Sequence, residues 1–474
     1  MEQFDVVVIG AGPAGYVAAI RCAQLGLRTA CVDQWLDAKQ QPLLGGTCLN
    51  VGCIPSKVLL ESSELFEKVQ HTFPQHGITF DSVMLDLPQM MQRKEKVVAS
   101  LTGGVAALFK ANGITLFSGQ GRLLANKQVA VMPQEGEEQL IAAQHIILAP
   151  GSRPRALGIL PFDGERVVDS TAALSFESVV DSLAVIGAGI IGLELGSVWR
   201  RLGSQVTLFE TADVLLPAID RSLGKQAQKI FQQQGLNFRF ASHVTACKVK
   251  KDGVKLHYSN HEGEQSEHFD RILVAVGRVP NTEAIADAAC GLQLDKWGRI
   301  EVDDQCRTAL PGVYAIGDAV RGPMLAHKGS EEGMMVAALI AGQYARVNYE
   351  AIPFVVYTQP ELAWCGKTEE ELKQEGASYR VGTFSFAANG RARAIGETAG
   401  MIKVLSDAVT DRVLGIHMLG PQVSELIGQA VLAMEFGASS EDLAMTVFAH
   451  PSLSEVLHEA ALDVDRRAIH KLRS

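Results

Sequence analysis

The feature that most restricts this chain is an internal repeat: an apolar strand-like run, a Gly-x-Gly-x-x-Gly turn, a helical stretch, a second apolar run and a carboxylate, occurring twice. The first copy runs Val6 to Ile9, then Gly10, Gly12 and Gly15, then Thr29 to Val32 and Asp33. The second runs Leu183 to Ile186, then Gly187, Gly189 and Gly192, then Gln205 to Phe209 and Glu210. In both, the acid stands 21 residues after the central glycine, near the spacing at which an acidic side chain meets the adenosine ribose of a dinucleotide. Glycines at these positions permit a tight turn, close approach of backbone to pyrophosphate, and close packing of helix on strand, while the helix N-terminus offers positive potential. One copy alone is also what a Gly-rich turn without a ligand looks like. Two copies with matched acids predict two dinucleotide sites on parallel βαβ units, hence an α/β fold. Glu210 favours NAD over NADP in the second, because a carboxylate accepts from a ribose 2′-hydroxyl and repels a 2′-phosphate, and the next arginine is only at Arg221.

With 474 residues the chain exceeds what one core usually supports, so several domains are expected. A net charge of -10 gives no reason to expect nucleic acid as a partner. There is no run of 18 or more apolar residues and no signal-like segment ahead of the first strand, which predicts no membrane span and a cytoplasmic protein. Eight cysteines are too few for a secreted disulfide framework and leave room for one special pair. From about Ala351 the pattern changes to alternating strands at Tyr379 to Phe386, Met401 to Leu405 and Arg412 to Leu419, followed by helical stretches, as in an antiparallel α+β domain. Motif positions place the divisions at 1–150 and 151–275 for the two nucleotide folds, 276–348 for a central segment completing the first site, and 349–474 for the C-terminal domain.

The special pair stands in Gly45-Gly46-Thr47-Cys48-Leu49-Asn50-Val51-Gly52-Cys53-Ile54-Pro55-Ser56-Lys57. On a regular helix, residues at this spacing have Cα atoms roughly 8.7 Å apart, whereas a disulfide needs about 4.4–6.8 Å. The pair can close only where the backbone leaves the helix, and Gly46, Gly52 and Pro55 are residues that permit or enforce a departure. A strained, accessible disulfide is easily reduced. The other cysteines, Cys22, Cys31, Cys247, Cys290, Cys306 and Cys365, lack such a setting and read as fillers. Near the C-terminus, Phe448-Ala449-His450-Pro451-Ser452-Leu453-Ser454-Glu455 offers a histidine and a carboxylate suited to acid–base work near pH 7. The same Ser452-Leu453-Ser454-Glu455 also spells a helix capping box, which would explain Glu455 without chemistry. Taken by themselves, these residues leave both readings open.

Taken together, the Cys48–Cys53 segment, the doubled nucleotide fold, Gly312-Val313-Tyr314-Ala315-Ile316-Gly317-Asp318 and the His450-Pro451 ending resemble the pyridine nucleotide-disulfide oxidoreductases over essentially the whole chain, and within that family its dihydrolipoamide dehydrogenase branch. The resemblance implies two Rossmann-like domains binding FAD and NAD, followed by a C-terminal α+β dimerisation domain. It places FAD at Gly10, Gly12, Gly15, Asp33, Lys57, Gly121, Gly151, Asp318 and Ala326, and NAD at Gly187, Gly189, Gly192, Glu210, Val244 and Gly277. It implies a redox disulfide between Cys48, the interchange thiol, and Cys53, the charge-transfer thiol, with Lys57 beside the flavin and paired with Glu194. By itself Lys57 also reads as a surface lysine. The His450–Glu455 pair is implied to serve Cys48 of a second copy, making an obligate homodimer with shared active sites. The implied partners are a lipoyl-bearing E2 acyltransferase or the glycine cleavage H protein. Asp33 stands where the family usually has glutamate, with one methylene less of reach, and Ala149-Pro150-Gly151 replaces a common Ala-Thr-Gly turn. The alternatives are a reductase for another small disulfide and a mainly structural subunit.

Overall fold

The computed structural model describes residues 1–37 and 39–472. The first apolar run becomes strand Glu2–Ile9, parallel to Thr29–Asp33 on one side and Gln139–Leu148 on the other, with Val7 opposite Ala30 and Ile146. Thr115–Ser118 extends this sheet at one end, while Gln128–Met132 and Gln120–Leu124 add antiparallel strands at the other and Val313–Ala315 also pairs with Gln139–Leu148. Val6, Val7 and Val8 are all fully buried because both faces are covered, which is why the run is apolar without alternation. Val6 and Val8 pack with Ala18, Cys22 and Met335, whereas Val7 and Ile9 pack with Leu123, Val129 and Ile141. Helix Pro13–Gln24 lies close against helix Ala326–Ile340. Small residues allow it: a Cβ at Gly333 would lie 2.7 Å from the Ala14 carbonyl oxygen.

The second apolar run repeats the design. Ser182–Ile186 lies between Gln205–Phe209 and Arg271–Val274, with Leu236–Arg239 and Val167–Val168 outside them, all parallel. On helix Ile190–Leu202, Trp199 is fully buried, donates its indole N–H to the Ala173 carbonyl at 3.1 Å and lies against Phe176. Truncating such a residue to alanine typically costs about 3–5 kcal/mol. An antiparallel sheet of His243–Lys250, Gly253–Asn260 and Gly263–Phe269 packs Val254, Leu256 and Tyr258 against Phe209.

The C-terminal stretch forms a five-stranded antiparallel sheet in the order Phe354–Val356, Glu361–Gly366, Val413–Gly420, Met401–Asp407, Tyr379–Ser385. Helices Val423–Glu435 and Glu455–Val464 supply Leu426, Ile427, Leu457 and Ala461 to its core. The architecture is therefore α/β with a C-terminal α+β domain, as expected. Contacts divide the chain into two compact units, one drawn from residues 1–58, 88–155 and 277–347, the other from 59–87, 156–276 and 348 onward. Among the described residues no helix is long and apolar enough to cross a membrane.

Candidate active site and nucleotide sites

The glycines of each repeat divide the labour as their positions require. Gly10 (φ +102°) and Gly187 (φ +100°) are left-handed, and a Cβ on them would sit 2.1 Å from the Ala149 oxygen and 2.5 Å from the Ala275 oxygen. A Cβ on Gly15 or Gly192 would strike the carbonyl of the first glycine at 1.8 or 2.0 Å, so these two let the helix lie against the turn. At the central positions there is room: Gly189 has nothing within 4 Å of an added Cβ, and Gly12 has only the Gly46 Cα, at 3.9 Å. Gly12 and Gly189 cap helices Pro13–Gln24 and Ile190–Leu202 without any side chain bonded to the first-turn amides. Free first-turn N–H groups beside a surface cleared of Cβ atoms suit a pyrophosphate. Each acid folds back on its own turn. Asp33 accepts from the Ala11 amide at 2.5 Å and the Trp35 amide at 2.9 Å, and Glu210 accepts from the Ala188 amide at 2.9 Å and the Ala212 amide at 3.0 Å. Burial raises the Asp33 pKa, and the backbone hydrogen bonds only partly offset it.

The cysteine segment leaves the regular helix, as disulfide geometry requires. Gly45 (φ +100°) and Gly46 (φ +56°) lead into a short helix, Gly46–Val51, and the chain breaks at Gly52 before the long helix Cys53–His71 begins. A Cβ on Gly52 would lie 2.9 Å from the Thr47 oxygen and 3.2 Å from the Cys48 Cα, so glycine there lets Cys53 fold back on Cys48. Pro55 does not enforce the break. It occupies the first turn of the long helix, where its missing N–H costs nothing. Cys48 and Cys53 are thiols in this structure, with Cys48 half-buried and Cys53 exposed. A hydrogen bond to Cys53 and burial push the Cys48 thiol up, while the Lys57 cation acts in the opposite sense. On helix Pro13–Gln24, half-buried Tyr16 also feels Cys48, and burial first and that thiol second raise its phenol.

Near the C-terminus both readings of Glu455 hold at once. One oxygen meets His450 Nδ1 at 2.9 Å and the other accepts from the Ser452 amide at 2.9 Å. That amide contact is one half of a capping box; the reciprocal half is missing, since the Ser452 hydroxyl has no partner and the residue preceding the helix is Ser454, which makes no side-chain cap. The carboxylate thus anchors the turn and orients the imidazole. Burial would raise the Glu455 pKa, but the Ser452 amide and His450 outweigh it and hold the carboxyl below its ordinary value. The His450 side chain is 79% exposed, open to a partner molecule.

Glu194 is buried on helix Ile190–Leu202 and accepts from the Tyr357 amide at 3.0 Å. It belongs to the second compact unit and Lys57 to the first. Asp318 lies on the turn Gly317–Ala319, where its carboxylate takes the Ser152 hydroxyl at 2.5 Å; Ser152 is held in turn by Arg278, whose Nε reaches that hydroxyl at 2.7 Å. Ala326 opens helix Ala326–Ile340. Gly151 (φ +69°) and Gly277 (φ +104°) both face open space where a Cβ would stand. Gly121 is different: it lies in strand Gln120–Leu124, and a Cβ there would meet Ile9 and Val32 side chains at 2.8 and 3.1 Å, a packing reason for glycine. Val244, on strand His243–Lys250, is half-buried against the core beneath that sheet. Sequence reasoning did not find Ser152 and Arg278 as holders of Asp318, nor the buried Lys328–Glu332 pair beneath the same turn. No local signal marked that pair, since the stretch 326–340 also carries His327, Ser330 and Glu331.

This combination of two dinucleotide folds, a hinged cysteine pair and a C-terminal histidine–carboxylate defines a flavin-linked disulfide oxidoreductase, and the chain belongs to the pyridine nucleotide-disulphide oxidoreductase family, which matches residues 4–333. That family's dimerisation domain matches residues 352–461, which supports a homodimer. FAD and NAD are the family's cofactors, and the glycine turns and acids described above fit them. Two relatives called dihydrolipoyl dehydrogenase cover 99% of this chain: one from Cupriavidus necator, 49% identical with 99% of its own length covered, and dihydrolipoyl dehydrogenase 3 of Pseudomonas putida, 47% identical with all of its length covered. Among solved structures, LpdA from Mycobacterium tuberculosis superposes with a TM-score of 0.89 at 25% identity, covering 97% of this chain and 99% of that one.

Proposed function

We propose that this chain is a dihydrolipoyl dehydrogenase that oxidises dihydrolipoyl groups and passes the electrons to NAD. The observation that carries the reading is the Cys48–Cys53 pair, brought together by the Gly52 break with Lys57 beside it. Residues 1–150 with 276–348 are read as the FAD-holding part, 151–275 as the NAD-holding part and 349–474 as the dimer-forming part. FAD, when bound, supplies a two-electron carrier between the cysteine pair and the nicotinamide.

In the oxidised enzyme Cys48 and Cys53 are joined. His450 takes the proton of a dihydrolipoyl thiol, and the resulting thiolate attacks the Cys48 sulfur while Cys53 departs as a thiolate. The second substrate thiol then closes on the mixed disulfide, releasing a cyclic disulfide and leaving Cys48 reduced, so one dithiol is oxidised and one protein disulfide reduced. Lys57 supplies a cation to steady the negative charge that accumulates, and Glu194 is its intended counter-ion. His450 acts on Cys48 of the second copy in the dimer. Glu210 makes NAD the acceptor, since its carboxylate suits a ribose hydroxyl and opposes a 2′-phosphate. A cytoplasmic location, and service to the lipoyl arm of an E2 acyltransferase or a glycine cleavage H protein, complete the reading.

Purified FAD-loaded protein should reduce NAD with dihydrolipoamide, and Cys53→Ser should abolish that reaction while retaining some NADH-to-dye activity. Full dihydrolipoamide turnover by Cys53→Ser, or a higher kcat/KM for glutathione disulfide than for lipoamide in the reverse direction, would refute the proposal.

A further inference from the structure

The most deeply buried ion pair in the first compact unit lies outside every residue given a role above. Lys328 and Glu332, both with fully buried side chains, stand 3.2 Å apart on helix Ala326–Ile340. Local rules argue against each placement. A cation in the first turn of a helix opposes the macrodipole, and lysine four residues before glutamate is the weaker order for a helical pair. Burying two charges also carries a desolvation penalty that their mutual attraction repays only when further hydrogen bonds are added.

Three further bonds reach the short stretch from Gly317 to Arg321. Glu332 accepts the Gly317 amide at 2.7 Å, and Lys328 donates to the Gly317 carbonyl at 2.8 Å and the Arg321 carbonyl at 2.9 Å. Both polar groups of Gly317 are therefore held by charged side chains, and Gly317 is left-handed at φ +73° and directly precedes Asp318. The turn is also pressed on its outer side, since a Cβ on Gly317 would lie 3.0 Å from the Ala14 Cβ of helix Pro13–Gln24, which follows the first glycine turn. From the other direction Ser152 and Arg278 fix the Asp318 carboxylate. Violations of local preference that converge on one backbone turn mark a constraint other than stability.

We propose that Lys328 and Glu332 are positioning residues for the flavin site, clamping Gly317 so that Asp318 is presented to the bound cofactor. The inference rests on the reading that Asp318 contacts FAD. Flavin release from the highly diluted holoenzyme, followed over time as the FAD that passes an ultrafiltration membrane, separates the two. Asp318→Ala should release flavin at least about tenfold faster than wild type, the loss expected when a charged group's hydrogen bond is removed. The double variant Lys328→Met with Glu332→Leu, which buries no unpaired charge, should accelerate release to a similar degree and blur the vibrational structure of the visible flavin band, with far-ultraviolet circular dichroism unchanged. Glu332→Gln retains an acceptor for the Gly317 amide and, although it leaves the Lys328 cation without its counter-charge, should release flavin more slowly than the double variant. If the double variant does not accumulate as folded dimer, Glu332→Asp, which keeps the charge and shortens the reach, takes its place with the same expectation of faster release. Fast release from Asp318→Ala but wild-type release from the double variant, or from Glu332→Asp in its stead, overturns the positioning role alone. Wild-type release from Asp318→Ala overturns the reading beneath it as well. Glu332→Gln releasing flavin as fast as the double variant would show that charge, and not the clamp, is what matters, and would also end the proposal.

Discussion

The two nucleotide folds of this chain share their local chemistry and differ in what is built against it. Gly10 and Gly187, Gly15 and Gly192, and Asp33 and Glu210 occupy matching positions, the first pair at nearly the same φ, the second with the same close approach and the third with equivalent backbone partners. The second turn is left clear around Gly189, whereas the first is packed against the redox segment: a Cβ on Gly46 would lie 2.6 Å from the Gly12 Cα. The first fold also gains the Asp318 turn, with its own buried clamp. On the proposed reading, the same βαβ solution serves as a detachable site in one place and as one wall of a reaction centre in the other. A cofactor that stays bound through turnover suits the first arrangement, and one that must exchange suits the second.

The strongest way to break the comparison is to fill the matched turns. Gly10→Val should yield protein without flavin, while Gly187→Val should keep its yellow colour and lose NAD reduction, read by absorbance at 450 nm and by turnover; equal loss of flavin in both would erase the distinction. A smaller effect is expected at the C-terminal pair. His450→Gln should lower dihydrolipoamide oxidation by about 10²–10⁴-fold with the flavin spectrum unchanged, and Glu455→Ala should cost less, because the imidazole remains but is no longer oriented. Glu210→Ala should sharpen the contrast further, reducing the preference for NAD over NADP by about tenfold to a hundredfold in kcat/KM and leaving flavin content alone. The smallest effect concerns pH. Since the Glu455 carboxyl is held below its ordinary value of 4.5, its stabilisation of the His450–Pro451 turn is complete above that value and is lost as pH falls through the depressed one. Glu455→Gln should therefore flatten the acid side of a thermal-stability profile slightly, and an unchanged profile would argue against the ion pair.

What was readable in the sequence follows from where steric necessity acts. Glycines that would otherwise overlap a backbone carbonyl at about 2 Å cannot be replaced, so the repeat announces itself. The cysteine pair is equally plain, because residues at that spacing meet only across a broken helix. Pro55 illustrates the opposite: proline suits both a break and a first helical turn, and only the structure shows that it does the latter. The two readings of Glu455 could not be separated along the chain because its two oxygens serve both. Lys328 and Glu332 were invisible because a lysine and a glutamate four apart on a helix normally face solvent, and it takes tertiary contacts such as those to the Gly317 turn to hold them inside. Ser152, Arg278 and Asp318 come from three separate segments, a juxtaposition that no local pattern encodes.

The central claim is that Cys48 and Cys53 exchange an electron pair with a dithiol. Alkylating the unfolded holoenzyme before and after anaerobic treatment with one equivalent of dihydrolipoamide, and reading modified residues by peptide mass, tests it directly. The account predicts that both cysteines are protected in the oxidised enzyme and that both become labelled after reduction, with the labelling of the remaining six unchanged. Equal labelling of Cys48 and Cys53 in the two states would contradict it.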